Sequence, residues 1–191
     1  LDVTDEASVA AFVDGLDRID LLVNNAGGAK GLASVAESDL DDWRWMWETN
    51  VVGTLRLTKA LLPGLIASGD GLIVTVTSIA ALDVYDNGAG YTSAKHAQGV
   101  LHRTLRYELI GKPVRLTEIA PGMVETEFSE VRFHGDKKRA DAVYDGVEPL
   151  TGADIAEAIA WAAQLPAHMN VNDMVLMPSQ QAGAYYTHRK N

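Results

Sequence analysis

Tyr91 and Lys95 stand four residues apart in Tyr91-Thr92-Ser93-Ala94-Lys95. On a helix that spacing puts both side chains on one face. A free phenol has a pKa of about 10 and is a poor base near neutral pH. A lysine cation beside it stabilises the phenolate and lowers that value. Such a tyrosine can give or take a proton at an alcohol or carbonyl oxygen. Ser78, at the end of an apolar run, offers a hydroxyl to the same oxygen. The same spacing also occurs on solvent-facing helices, where it carries no chemistry. Arg132 and Arg139 are candidates to meet a substrate carboxylate, because a guanidinium fork matches a carboxylate at two points. Exposed arginines are usually only solvated. The histidines show no metal-ligand spacing, since His96 and His102 fall on different helix faces, and no metal is assigned.

The elements that must position these groups follow from periodicity and punctuation. Asp5 is a good N-cap for a helix over 6–16, with Val9, Phe12, Val13 and Leu16 on one face. The run 19–23 reads as a buried strand that stops at Asn24-Asn25-Ala26-Gly27. Ser38 caps a long helical pattern over 40–66 that is expected to bend near Gly53 and Pro63. On it, Trp43 and Trp47 read as packing residues and Asn50 as a mid-helix polar residue. A β-branched strand over 71–77 ends at Ser78, and a helix runs over 91–110. A third strand over 114–119 stops at Pro121-Gly122. Residues 124–149 read as polar and irregular, Thr151 caps a helix over 154–164, and 174–177 forms a last strand. Short apolar strands alternating with helices imply an α/β fold. It is a Rossmann-like, doubly wound parallel sheet with helices on both faces, in a single domain over 1–191. In such sheets ligands bind beyond the carboxyl ends of the strands, which here carry Asn24 to Gly27, Ser78 and Pro121-Gly122.

The chain has 191 residues, 47% of them hydrophobic and 22% charged, enough for one buried core. Its 26 acidic and 16 basic residues give a net charge of −10. That balance argues against nucleic acid and anionic membranes as partners. The absence of cysteine excludes disulfides, thiolate catalysis and Cys-ligated metal centres. No apolar run approaches the roughly 18 residues of a membrane span, and the opening Leu1-Asp2-Val3-Thr4-Asp5 has no signal-peptide character. A cytoplasmic location is the expectation.

Taken in order, Asn24-Asn25-Ala26-Gly27, Thr49-Asn50-Val51, Ser78, Tyr91 with Lys95, and Pro121-Gly122-Met123-Val124-Glu125-Thr126 resemble the short-chain dehydrogenase/reductase superfamily. The thirteen-residue gap from Ser78 to Tyr91 matches as well. The resemblance covers the whole chain. It implies an oxidoreductase with an intact catalytic set: Asn50 for a proton-relay water, Ser78 to orient the substrate oxygen, Tyr91 as acid/base. Lys95 would bind the nicotinamide ribose and tune the tyrosine. It also implies cofactor contacts from Asp2 and Val3 at the adenine and from Asn24, Ala26 and Gly27 at the ribose and sheet. Pro121, Gly122, Val124 and Thr126 would line the carboxamide. Residues 126–136 and 165–172 are similar to enzymes of the malonic semialdehyde reductase, serine 3-dehydrogenase and allo-threonine dehydrogenase type. That implies NADP, with NAD as the alternative, a small 3-hydroxy acid as substrate, and a homo-oligomer, tetramer or dimer.

Two features depart from the family pattern. Tyr85-Asp86-Asn87-Gly88-Ala89-Gly90 differs from what is expected before the tyrosine. The Gly-rich loop that would cradle the pyrophosphate is not in the sequence, nor are the first two strands and most of the third. A preceding segment of roughly fifty residues is expected to supply them. It would also carry the residues that tell a 2′-phosphate from a 2′-hydroxyl. The competing functions are a reductase of bulkier secondary alcohols or ketones, a non-catalytic dinucleotide sensor on the same fold, and a fragment that only oligomerises. The complete Asn50–Ser78–Tyr91–Lys95 set argues against a sensor.

Overall fold

A computed structural model describes residues 1–190. Four strands make one parallel sheet in the order β1-β2-β3-β6: β1 Leu21–Asn24, β2 Gly71–Val76, β3 Val114–Pro121 and β6 Asp173–Leu176. Their alternation decides which face each side chain covers. Leu22, Ile73, Leu116 and Val114 point to one face, packed by α1 (Glu6–Asp14), α3 (Gly53–Ser68) and α4 (Ala89–Glu108). Val23, Leu72, Val74 and Ile119 point to the other, covered by α7 (Gly152–Ala163). Helices on both faces of a parallel sheet are the predicted architecture.

The predicted long helix is three pieces: α2 (Leu40–Trp47), a π turn (Glu48–Val52) and α3. The break falls just before Gly53 and places Asn50, fully buried, inside the wide turn. A Cβ on residue 53 would meet the Val3 side chain at 2.7 Å, so glycine lets the turn close on the first residues of the chain. Asp39, rather than Ser38, caps α2 by accepting from the Asp41 amide at 2.7 Å. The packing tryptophans are Trp43 and Trp45, whereas Trp47 is 40% exposed. The whole stretch Leu40–Ser68 has a mean hydropathy of 1.2 over its most apolar window. It is long and apolar enough to cross a membrane by length and composition alone, which the apolar-run criterion did not register. Leu57, Leu61 and Leu65 pack it on the sheet as a core helix.

Residues 124–149 are more ordered than their polarity predicts. They hold α5 (Phe128–Arg132) and α6 (Lys137–Ala142), and Val124–Glu125 pairs with Leu150–Thr151 as the short parallel strands β4 and β5. Thr151 caps α7 in a reciprocal capping box with Asp154, two residues ahead of the predicted helix start.

Candidate active site

β2 ends at Val76, and the chain turns through Ser78, whose hydroxyl accepts from the Ala80 amide at 3.1 Å and caps a short 3-10 turn. It also makes a long contact with the Pro121 carbonyl at 3.5 Å and hydrogen-bonds the Tyr91 phenol. The hydroxyl is therefore seated. Tyr91, in the first turn of α4, is buried and lies against it. Both face a cavity of about 680 Å3 at the carboxyl ends of β1, β2 and β3. Of the residues predicted to hold cofactor or substrate, Ser78, Tyr91, Pro121, Gly122, Val124 and Thr126 line this cavity.

The remainder of the predicted set lies elsewhere. Asn50 and Lys95 sit beneath the cavity floor. Asn50 Nδ2 donates to the carbonyls of Gly28 (2.9 Å) and Met46 (2.7 Å), and its Oδ1 accepts from the Gly28 amide at 3.1 Å. These bonds pin the loop after β1. A Cβ on residue 27 would stand 2.5 Å from Asn50 Oδ1, so only glycine fits there. Asn24 donates to Thr58 at 2.9 Å and ties β1 to α3. Val3 belongs to the main core. Asp2 is exposed and accepts from the Thr4 amide and hydroxyl, which lowers its pKa. Asp2, Val3, Asn24, Ala26 and Gly27 do not line the cavity.

The electrostatics differ from the simple Tyr–Lys expectation. Burial pushes the Tyr91 phenol well above its ordinary value; Ser78 pulls it down, Tyr85 adds to the rise, and Arg132 pulls it down. Lys95 Nζ is 5.9 Å from the ring centroid and bonds instead to the Val76 carbonyl (3.2 Å) and Gln98 Oε1 (2.8 Å). Burial pushes Lys95 down to about 7, against the pull of Glu118. Both cations lie near the ring, Arg132 at 5.7 Å and Lys95 at 5.9 Å, and the Arg132 charge pulls the phenol down. An ammonium has three donors, and two are used, close to Gly27. That arrangement fits a ribose hydroxyl arriving over the loop after β1.

The two predicted arginines separate. Arg132 stacks over the Tyr91 ring at 5.7 Å, donates to Tyr85 Oη at 2.9 Å and lines the cavity. Arg139 stacks on Phe133 at 4.3 Å and is not on the cavity wall. Sequence reasoning missed Arg189, Tyr144, Gln181 and Tyr185, which line the cavity from 124–149 and from the C-terminal segment. It flagged Tyr85 only as a departure, and Tyr85 proves to be the wall partner of Arg132. No periodic signal marks Arg189. Gln98 had one, three residues past Lys95 on the same helix. Among the described residues there is no cluster of potential metal ligands.

A parallel sheet carrying a serine, a buried tyrosine and a lysine at its carboxyl edge can move a proton at an alcohol or carbonyl oxygen, and the wider comparison supplies the class. The profile of the short chain dehydrogenase family matches residues 1–137, and the chain belongs to that family. It is an oxidoreductase of the kind that acts on CH–OH groups. It is 69% identical over 183 residues to an uncharacterized oxidoreductase of Mycobacterium tuberculosis, covering 96% of this chain and 73% of that one. Identity is 42% to an NADP-dependent 3-hydroxy acid dehydrogenase of Schizosaccharomyces pombe, across 100% of this chain and 75% of that one. The closed form of a serine dehydrogenase complexed with NADP+ superposes with a TM-score of 0.93 at 37% identity, over 100% and 79% of the two chains.

Proposed function

We propose that the protein transfers a hydride between NADP(H) and the carbonyl or alcohol carbon of a small carboxylate-bearing molecule, a 3-hydroxy acid and its oxo partner. One observation carries the substrate class. In a chain of net charge −10, the only charged side chains lining the cavity, among the described residues, are Arg132 and Arg189. Such a wall favours an anion. NADP rather than NAD is supported by the cofactors in the names of the similar dehydrogenases.

When bound, the nicotinamide cofactor supplies or accepts the hydride. The chain does the rest. Ser78 Oγ and the Tyr91 phenol receive the substrate oxygen between them. In reduction Tyr91 gives its proton to that oxygen, and its raised pKa keeps the proton in place until then. In oxidation the phenol must first lose its proton, so alcohol oxidation rises with pH. Lys95 would hold the ribose, Asn50 fixes the loop after β1, and Pro121, Gly122, Val124 and Thr126 would line the carboxamide. Arg132 holds the carboxylate against Tyr85.

The protein is further proposed to work as a homo-oligomer, dimer or tetramer, joined through α3 and α4. These helices expose Leu55 (47%), Val100 (56%) and Tyr107 (81%). Light scattering at micromolar concentration checks this, and a monomer counts against it.

The functional test measures NADPH and NADH oxidation with malonic semialdehyde. It also measures NADP+ and NAD+ reduction with L-serine, L-allo-threonine and a bulky secondary alcohol. Turnover of the acids with NADPH preferred is expected. Turnover of the bulky alcohol alone contradicts the hydroxy-acid reading, and equal use of NADH contradicts the cofactor choice.

A further inference from the structure

Beneath the cavity runs a line of buried polar groups, two of which, Gln98 and Thr54, the proposed chemistry leaves without a part. Lys95 Nζ donates to Gln98 Oε1 at 2.8 Å; Gln98 Nε2 donates to Thr54 Oγ1 at 2.9 Å; Thr54 Oγ1 donates to the Asn50 carbonyl at 2.8 Å. Gln98 and Asn50 are 0% exposed. The line thus joins α4 through α3 to the π turn that fixes the loop after β1. A buried glutamine whose carbonyl faces an ammonium and whose amide faces a hydroxyl has each end matched to its partner. Space alone is filled equally well by a methionine.

Resting on the reading of Lys95 given above, we propose that Gln98 is a positioning residue for Lys95: its amide ties the ammonium to α3 and the Asn50 turn and holds it under Gly27. The other groups facing Lys95 are few. Its own helix brings Tyr91, β2 brings the Val76 carbonyl, and β3 brings the charge of Glu118. Glu118 is itself occupied by Thr77 (2.8 Å) and Arg103 (3.0 Å). The hydrogen-bonded link from the ammonium to α3 and the π turn runs through Gln98, and Asn50 Oδ1 of that turn stands with the ammonium around Gly27. Removing the Gln98 acceptor leaves a buried cation short of a partner, and replacing it with a carboxylate adds an opposite charge. The two changes act on the ammonium in opposite senses.

The test is a titration of the Lys95 ammonium by NMR of lysine-labelled protein, assigned with Lys95→Met and run without cofactor or substrate. Its result is therefore independent of whether the proposed reaction is right. Gln98→Met is expected to lower the Lys95 midpoint by about one pH unit, and Gln98→Glu to raise it by about the same amount. Either variant alone gives a reading should the other not fold. In the NADPH-dependent assay the pH profile should move in the same two directions. Midpoints unchanged in a folded variant, or moved the same way by both substitutions, overturn the proposal and leave Gln98 as packing.

Discussion

The floor and the roof of the cavity are built on different principles. The floor is made from β2, the π turn, α3 and α4. Many of its polar groups are buried and matched in pairs: Asn50 with Gly28, Lys95 with Gln98, Thr77 with Glu118, His102 with Thr75. The roof is made from two short helices and the C-terminal segment. It hangs on side chains that reach across open loops: Arg132 to Gly31 and Tyr85, Tyr185 to Asp86, Arg189 to the carbonyls of Val143 and Asp145. Buried, hydrogen-bonded networks fix a geometry, while loops on a rigid scaffold are where recognition varies. On the proposed function, the proton chemistry belongs to the floor and the choice of substrate to the roof.

The strongest way to break this division is Tyr91→Phe in the floor. It removes the transferable proton and should cut kcat at least 100-fold for every substrate while leaving the unfolding transition nearly unchanged, because general acid catalysis is worth that much. More than about a tenth of wild-type kcat contradicts the assignment. In the roof, Arg132→Met should lower kcat/KM for a carboxylated substrate by roughly 10- to 100-fold, as expected for loss of a charged contact, and spare a neutral ketone. Because the Arg132 charge pulls the Tyr91 phenol down, the same variant should need a higher pH to reach its maximal oxidation rate. A pH–rate profile unchanged in that variant removes Arg132 from the phenol's surroundings.

Smaller effects concern stability. His102 is buried, and burial lowers its pKa to about 4 from an ordinary 6.5. The unfolded chain therefore takes up this proton first as the medium is acidified. The stability His102 allows is complete above pH 6.5 and declines as pH falls toward 4. Between pH 7 and pH 5 the loss should be on the order of 2 kcal/mol in urea unfolding, and smaller in His102→Gln. A wild-type curve identical to that of the variant contradicts a neutral buried imidazole. Thr151→Ala removes the cap of α7, the helix behind the cavity, and should cost about 1 kcal/mol, with no change in which substrate is preferred. A shifted substrate preference sets α7 with the roof.

The same division explains what was legible in the sequence. Strands β1, β2 and β3 were visible because continuous apolar runs have few other places to go. Tyr91 and Lys95 were visible because a helix makes their spacing meaningful. The break in the long helix was placed near Gly53 from that glycine, but its form as a π turn around Asn50 was not readable, since no residue type demands one. The roof was harder. Residues 124–149 look like a polar loop because α5 and α6 are five and six residues long, too short for a periodic pattern. Arg132 and Arg139 were equal candidates by type, and only the turn between the two helices sends one toward Tyr91 and the other onto Phe133. Arg189 comes from a segment without periodicity. The sign of the tyrosine's shift also escaped the sequence, because burial is a property of the packed site and outweighs the pull of Ser78 and Arg132.

The proposed function pairs a buried proton site with an anion-selecting wall. The most direct measurement is the ratio of kcat/KM for malonic semialdehyde to that for an uncharged aldehyde of similar size, with NADPH, in the wild-type protein and in Arg132→Met. The expected result is a preference for the acid of at least about tenfold that collapses toward unity in the variant. A wild-type ratio near one, or a preference that survives the loss of Arg132, contradicts the claim.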